Sequence, residues 1–198
     1  KTSAIKFLND RLKKIKSVDK IVYLIPTKDK HKLSRIIKEF DGSFFCGSET
    51  NVLSRYYNAA KKYKSDIIIR ITSDCILSDP KMISKMIDIF HRKKIDYFTN
   101  NYPPTFPDGF DVEIFNFKTL RNVFFRAKSN LDKEHVTLYL KNNFSKFKSK
   151  NFFNKIDKSK LRCTLDYKED LYVLKKIINN FKNDRNFSWS DVVKFLEK

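Results

Sequence analysis

The sequence predicts an α/β protein built on a doubly wound, mostly parallel sheet. Short apolar runs, rich in β-branched residues, alternate four times with amphipathic segments between residues 3 and 99. Several of these runs are apolar at consecutive positions, which is typical of strands covered on both faces. The 198 residues suffice for one domain with a sizeable core, and no repeat or linker divides them, so we predict a single domain over residues 1–198.

The spacing of apolar residues defines the elements of the first half. Helical spacing, with lysine and arginine on the opposite face, occurs in segments 3–16, 31–40, 51–64 and 80–93. The runs between them predict strands at 20–26, 43–47, 66–72 and 96–99. In such a sheet, ligands bind at the carboxyl ends of the strands.

The second half of the chain is less regular. Segment 102–115, "YPPTFPDGFDVEIF", contains three of the five prolines and ends in a predicted strand. Further helices are predicted near 117–127, 132–143 and 168–182, and a strand around 161–166. A final helix begins at a serine cap, Ser188 or Ser190.

The composition limits the class of protein. The formal charge of +19 permits a nucleic-acid partner, with Tyr56, Tyr57 and Tyr63 available for stacking. The lysines are nevertheless spread over solvent-facing helix positions, and we favour solvated surfaces over nucleic-acid binding. Three distant cysteines without a C-x-x-C pair argue against a disulfide framework or a zinc site, and predict a cytoplasmic location. No window approaches the roughly 20 apolar residues of a membrane span.

Two acids follow the apolar run 66–72 in "SDIIIRITSDCILSDP". Asp79 precedes Pro80 and an amphipathic segment, so it is predicted to cap a helix with proline at its first position. Asp74 lies directly beyond the strand end, where a ligand would bind. Hydrogen bonding to nearby loop amides is the structural alternative for Asp74.

A third acid gives Asp74 a possible partner. Asp166 also follows a predicted strand and precedes a helix. If both strands belong to one sheet, the two carboxylates converge at its carboxyl edge. Mg²⁺ accepts one or two carboxylates together with phosphate oxygens, so the pair suggests phosphoryl or nucleotidyl transfer with Mg²⁺ as cofactor.

The stretch "CGSET" adds a candidate anion site. Only three glycines occur in the chain, and Gly47 is one of them, followed by Ser48 at a predicted strand-to-helix junction. Thr50 or Asn51 is expected to cap the helix, whose free amides favour an anion or a hydroxyl-rich group. Arg55, one turn further on, either faces the same space or lies on the surface.

Four segments together resemble the cytidylyltransferase superfamily, in particular the SpsF-like spore-coat polysaccharide group, which is related to the CMP-sialic acid and CMP-KDO synthetases. The resemblance runs from about residue 5 to about residue 180 and rests on the order of its motifs. These are the stretch 47–83, "YPPTFPDGFDVEIF", "EHVTLYL" and "LRCTLDYKEDL".

The resemblance implies a GT-A-like nucleotidyltransferase fold and transfer of CMP from CTP to a sugar or sugar acid for surface polysaccharide synthesis, with pyrophosphate released. It implies catalytic and metal-binding roles for Asp74 and Asp166. Nucleotide contacts are implied at Gly47, Ser48 and Thr72, and Arg55 is expected beside them. The sugar side is implied at Asp108, Gly109, Asp111, Glu134 and His135.

One departure affects these expectations. The family begins with a strand and a loop of the pattern Gln-Ala-Arg-x-x-Ser-x-Arg-Leu-Pro-x-Lys, which wraps the triphosphate, and no such segment precedes Lys1. We therefore expect an N-terminally truncated domain. A non-catalytic partner subunit with the same fold remains an alternative function. A homodimer is a possible assembly.

Overall fold

Helices and strands alternate through the first half of the chain in the computed structural model, which describes residues 3–182 and 184–198. The helices are α1 Ala4–Leu12, α2 Lys30–Lys38, α3 Val52–Lys62, α4 Pro80–Lys93, α5 Phe117–Arg126, α6 Asn130–Glu134, α7 Leu138–Asn142, α8 Lys168–Asn180 and α9 Trp189–Leu196. The strands are β1 Val22–Pro26, β2 Ser43–Gly47, β3 Ile67–Arg70, β4 Tyr97–Thr99, β5 Glu113–Asn116 and β6 Ser149–Asn151.

The architecture is α/β, as predicted, but the described strands form two sheets. β1 and β2 pair in parallel, whereas the larger sheet has the order β3-β5-β4-β6. In it, β5 runs antiparallel to both neighbours, and β4 and β6 are parallel. The antiparallel pairing follows from the connection, because the proline-rich loop between β4 and β5 contains no crossover helix of the kind that parallel neighbours need.

The larger sheet separates two hydrophobic clusters. Ile67 and Ile69 of β3 face a cluster that contains buried residues of α4, whereas Ile68 faces a cluster with Leu53 of α3 and Leu120 of α5. This alternation is what the two-residue period of a strand requires. The small sheet has its own cluster, formed by Ile25, Ile37 and Phe40.

The caps of two helices confirm the sequence prediction. The Asp79 carboxylate accepts hydrogen bonds from the amides of Lys81 and Met82, and Pro80 is the first residue of α4. The second Asp79 oxygen accepts from the amide of Trp189 at 3.0 Å, so one buried acid caps α4 and also binds the start of α9. Ser188 caps α9 in a capping box with Asp191.

The predicted strand at 161–166 is wrong. This segment forms only an isolated bridge between Asp108 and Arg162. The reason is that the Asp108 backbone binds it at two points, since the Asp108 amide donates to Leu161 O at 2.9 Å and Asp108 O accepts from the Cys163 amide at 2.7 Å. A loop therefore satisfies these backbone groups, and a sheet does not.

The predicted helix at 132–143 is also wrong, because two short helices, α6 and α7, replace it. The helical geometry stops at His135, which has φ −96° and ψ 84°. The next residue, Val136, is 1% exposed and packs in the cluster below α3, so its burial favours the break over a continuous helix.

Arg11 of α1 is a buried anchor that the helical periodicity did not reveal. Its guanidinium donates to the carbonyl oxygens of Leu77, Ser78, Arg185 and Phe187 at 2.9–3.1 Å. Burial lowers the pKa of Arg11 to about 10. These bonds hold α1 against the turn that carries Asp79.

Among the described residues, no helix is long and apolar enough to cross a bilayer.

Candidate active site

Asp74 lies in a tight turn after β3. The turn is closed by the Cys75 amide, which donates to Thr72 O at 3.2 Å, and by the Ile76 amide, which donates to Asp74 O at 2.9 Å. The Asp74 side-chain atom Oδ1 is buried and has no hydrogen-bond partner among the described residues. A buried carboxylate oxygen without a partner is costly, and the absence of a described bond to Oδ1 does not fit the alternative of a loop acid whose Oδ1 is bonded to nearby amides.

The late acid Asp166 reaches the same region through the backbone. Leu165, its neighbour, donates its amide to Asp74 O at 3.1 Å. The Asp166 carboxylate itself is bound to Arg162, whose Nη2 lies 2.6 Å from Asp166 Oδ2. The structure thus brings the two segments together, although Asp166 follows a loop and not the strand from which its position was predicted.

Arg162 joins three acids into one cluster. Besides Asp166, its guanidinium pairs with Asp108 at 3.0 Å and with Asp170 at 3.1 Å. The Asp170 carboxylate also accepts from the amides of Asp166 and Tyr167 at the start of α8. The hydrogen bonds from Arg162 and from these amides hold the pKa of Asp170 well below its ordinary range.

The cluster has an excess of negative charge. Burial raises the pKa of Asp108, and the charges of Asp166 and Asp74 raise it further, so that Arg162 does not fully compensate. Four carboxylates, those of Asp74, Asp108, Asp166 and Asp170, therefore stand against one guanidinium. This local charge is opposite to the +19 of the whole chain and favours a bound cation.

Gly109 fixes the loop that carries Asp108. Its φ is +98°, and a Cβ atom there would lie 2.5 Å from the carbonyl carbon of Cys163. Only glycine permits both the dihedral angle and this close approach of two backbones. The requirement explains one of the three glycines, and it places the Asp108 loop directly against the segment that ends at Asp166.

Asp111 lies near Asp108 of the acid cluster and also near the ion pair of Glu113 with Lys141. It is held by Asn101, whose Nδ2 donates to Asp111 Oδ2 at 2.9 Å. Burial raises the pKa of Asp111, and the nearby charges of Asp108 and Glu113 raise it further. An acid in this position can accept a hydrogen bond from a hydroxyl group of a bound molecule.

The predicted glycine–serine junction is formed by β2 and α3. Gly47 ends β2, and a Cβ atom there would lie 2.5 Å from Cγ of Arg55, so the arginine stem passes over the strand end. Ser48 Oγ accepts from the Asn51 amide, and Asn51 caps α3 by accepting from the Ser54 amide at 2.9 Å. Arg55 is 8% exposed, so it is not a surface arginine.

Three further residues predicted for the site, Thr72, Glu134 and His135, have fewer contacts with the acid cluster. Thr72 Oγ1 lies 3.2 Å from the sulfur of Cys75, next to Asp74. Glu134 and His135 are exposed at the end of α6, which packs against α3. No hydrogen bond or ion pair joins either side chain to the acid cluster within the described part of the chain, so their sugar-side role stays a prediction.

Two of the three tyrosines considered for base stacking, Tyr57 and Tyr63, contact other side chains of the protein. The ring of Tyr57 stacks on Phe124 with centroids 4.1 Å apart, and on Phe117 at 5.8 Å. Tyr63 lies under the ammonium groups of Lys20 and Lys62. These contacts leave the two rings less available to nucleic-acid bases.

The family model of the cytidylyltransferases matches residues 4–196. The chain belongs to the cytidylyltransferase family. The resemblance read from the sequence is thereby confirmed. An uncharacterized protein of Methanocaldococcus jannaschii is 29% identical over 199 residues, which cover 98% of this chain and 79% of that protein. The spore coat polysaccharide biosynthesis protein SpsF of Bacillus subtilis is 28% identical over 158 residues, covering 78% of this chain and 64% of SpsF.

Solved structures agree with this membership. A cytidylyltransferase of Leptospira borgpetersenii superposes with a TM-score of 0.95 at 34% identity, over 99% of this chain and 83% of that one. CMP:2-keto-3-deoxy-manno-octonic acid synthetase, solved with CTP, has a TM-score of 0.60 at 10% identity, over 90% and 87% of the two chains. The second likeness shows the shared fold.

The cytidylyltransferase site contains four functional candidates that the sequence analysis missed: Arg70, Glu113, Lys141 and Arg162. A signal existed for Arg162, because "LRCTLDYKED" places acids four and eight residues after it. For Arg70 and Glu113 the only signal was a charged residue inside an apolar strand, β3 and β5 respectively, and no signal in the sequence pointed to Lys141.

The acidic residues fit a magnesium ion in part. Among the described residues, no group of three or more histidine, cysteine, aspartate or glutamate side chains could hold a metal. Mg²⁺ does not require such a group, because water and substrate phosphates supply most of its ligands. Asp74, with its unpartnered oxygen, suits this role, and Asp166 directly follows Leu165, whose amide binds Asp74 O.

Proposed function

We propose that this cytidylyltransferase transfers CMP from CTP to a hydroxyl group of a sugar or sugar acid, releasing pyrophosphate, and that the product serves surface polysaccharide synthesis. Family membership supports the reaction class. The observation that carries the site assignment is the buried Asp74 oxygen without a partner, beside an acid cluster with excess negative charge. The polysaccharide role is supported by the relative SpsF.

Different residues of the chain bind the metal ion, the nucleotide and the sugar. Asp74, with Asp166, would hold Mg²⁺, which reduces the negative charge on the phosphates when it is bound. Ser48 and the start of α3 bind the nucleotide, next to Thr72 and Arg55.

Asp108 and Asp111 accept hydrogen bonds from sugar hydroxyl groups, and Gly109 keeps their loop in place. Glu134 and His135 extend the sugar side.

In the reaction, the acceptor hydroxyl oxygen forms a bond to the α-phosphorus while the bond from that phosphorus to pyrophosphate breaks. The hydroxyl proton leaves to solvent or to a carboxylate of the site. The enzyme mainly positions the two reactants in line and offsets charge, so carboxylates and guanidiniums that are already fixed suit it well.

Pyrophosphate release from CTP in the presence of candidate sugar acids tests the proposal. Asp74→Asn preserves the size of the side chain and is expected to lower turnover at least about 100-fold, as loss of a transition-state charge contact does. Asp88→Asn, at an exposed position on α4, is the matched control and should keep full turnover. Undiminished turnover in Asp74→Asn would rule out the assigned role.

A further inference from the structure

Arg55 carries a buried positive charge that its surroundings do not balance. The residue is 8% exposed, and both Nε and Nη1 lack a hydrogen-bond partner among the described residues. Burial lowers the pKa of Arg55, and a nearby negative charge that opposes this effect belongs to Glu49. Glu49 is already paired with Lys28. A buried guanidinium with unpaired N–H groups is unfavourable unless a bound group completes it.

A second arginine offers another unpaired donor close by. Nε of Arg70 is buried without a hydrogen-bond partner among the described residues. The charges of both Arg70 and Arg55 lower the otherwise raised pKa of Tyr56, so both guanidiniums lie near the same phenol. The side chain of Arg70 cannot turn away, because Glu113 binds its Nη1.

The charge balance of this region is positive. Arg70 and Lys141 share the single carboxylate of Glu113, at 2.5 Å and 3.5 Å. Arg55, which lies near the same tyrosine as Arg70, adds a third positive charge to the region. A guanidinium is planar and presents parallel N–H groups, a geometry that matches the two oxygens of a carboxylate or phosphate.

The backbone is shaped to keep Arg55 in this position. Arg55 belongs to the first turn of α3, where its amide donates to Asn51 O at 3.4 Å. Gly47 lets the aliphatic stem of Arg55 cross the end of β2. The start of the eleven-residue helix α3, which itself favours anions, adjoins the same guanidinium.

We infer that Arg55 and Arg70, which both lie near Tyr56, form a binding site for an oxyanion, either a phosphate of the nucleotide or the carboxylate of an acidic acceptor. The identification of these two sources rests on the proposed function, which it deepens. The binding of the oxyanion is a property of this chain and can be measured without CTP.

Calorimetric titration with inorganic phosphate and, separately, with acetate tests the inference, at constant ionic strength set by chloride. We expect saturable binding of at least one of the two anions. Arg55→Met should weaken that binding about tenfold or more, the effect of losing charge-assisted hydrogen bonds. Loss of phosphate binding assigns the site to the nucleotide, and loss of acetate binding assigns it to the acceptor carboxylate.

The melting temperature of Arg55→Met, without ligand, provides a readout that a structural arginine would not give. Removing an unbalanced buried charge while keeping the aliphatic stem should leave the melting temperature unchanged or raise it. Arg121→Met, at an exposed position on α5, is the control and should bind both anions like the unmodified protein.

Three results would overturn the inference: no saturable binding of either anion, unchanged binding in Arg55→Met, or a marked fall in its melting temperature. Failure of the proposed function is a separate result. A protein that binds phosphate through Arg55 but turns over no CTP with any acceptor keeps the oxyanion site and loses the transferase assignment.

Discussion

Arg70 and Glu113 are joined across neighbouring strands, with Nη1 of Arg70 2.5 Å from Oε2 of Glu113. The two residues stand directly opposite each other in the register of β3 and β5. The buried Glu113 also accepts from the Tyr97 hydroxyl at 2.5 Å and pairs with Lys141. One acid, Glu113, therefore pairs with two cations. Conversely, one guanidinium, that of Arg162, pairs with three acids. Asp111 lies near members of both groups, Asp108 and Glu113.

Replacing Glu113 should be among the most damaging changes to stability. Glu113→Gln leaves Arg70 and Lys141 without their counter-ion in a buried position, and breaking a buried pair in this way costs about 3–5 kcal/mol. Urea denaturation measures the loss. Glu169→Gln, at an exposed position on α8, is the matched control and should unfold like the unmodified protein. An equal midpoint for both variants would contradict the buried pair.

Acid should destabilise the protein partly through the same residue. Burial alone would raise the pKa of Glu113, but the charges of Arg70 and Lys141 lower it below its ordinary value of 4.5. The unfolded chain therefore binds more protons as the pH falls past 4.5, and the free energy of unfolding decreases from there down through the folded-state pKa. Urea midpoints at about pH 6 and about pH 3.5 test this, and Glu113→Gln should show the smaller difference.

Substitution of Asp79 should lower stability without affecting activity, whereas substitution of Asp74 should do the reverse. Asp79→Ala removes the cap of α4 and the bond to the Trp189 amide, and caps of this kind are worth about 0.5–2 kcal/mol. Its thermal midpoint should fall while its KM for CTP stays unchanged. Asp74→Asn should show the reverse pattern, with a normal midpoint and lost turnover. A shared phenotype would mean that the turn acts as one structural unit.

Gly109→Ala should damage both the fold and the sugar side. The new methyl group would meet the Cys163 carbonyl at a φ that alanine avoids, so a loss of more than about 1 kcal/mol is expected. Because the Asp108 loop would shift, the KM for the acceptor should rise more than that for CTP. Lys160→Ala, an exposed substitution on the adjoining segment, is the control. Equal effects on both KM values would place the loop elsewhere in the site.

Removing Arg162 should change the pH profile more than the stability. Its ion pairs with Asp108 and Asp166 are solvent-exposed on both sides, so little unfolding free energy depends on them. Arg162→Met nevertheless removes the one positive charge that lowers the pKa of Asp108. The acidic limb of the pH profile of kcat/KM for the acceptor should therefore move to higher pH. Arg162→Lys, which keeps the charge, should move it less, and an unmoved limb in Arg162→Met would contradict this role.

Local patterns in the sequence were sufficient for most elements. β2 and α4 have the predicted bounds, and the Asp79 cap, the Asn51 cap and the Ser188 cap depend on neighbours within a few residues. The resemblance identified the family. Asp74 was found because it directly follows an apolar strand, and the structure adds that its Oδ1 has no described partner.

Contacts between distant residues account for what the sequence did not reveal. The segment 161–166 resembles a strand in composition, but its partners belong to the Asp108 loop, more than fifty residues away. The break at His135 depends on the burial of Val136 in a cluster formed by other helices. Likewise, the pairing of Arg70 with Glu113 follows from an antiparallel register that only the folded sheet defines.

The division into two sheets has a consequence for how the molecule opens. β1 and β2 pair only with each other among the described strands and rest on a small cluster, whereas every residue of β4 is buried. Regions with few buried apolar contacts open locally at low cost and form separate cooperative units. Amide protons of residues 22–25 of β1 should thus exchange with deuterium well before those of Tyr97–Thr99. Because the stem of Arg55 crosses Gly47 at the end of the small sheet, opening of this sheet would remove Arg55 from the oxyanion site, and the anion that binds there should slow the exchange.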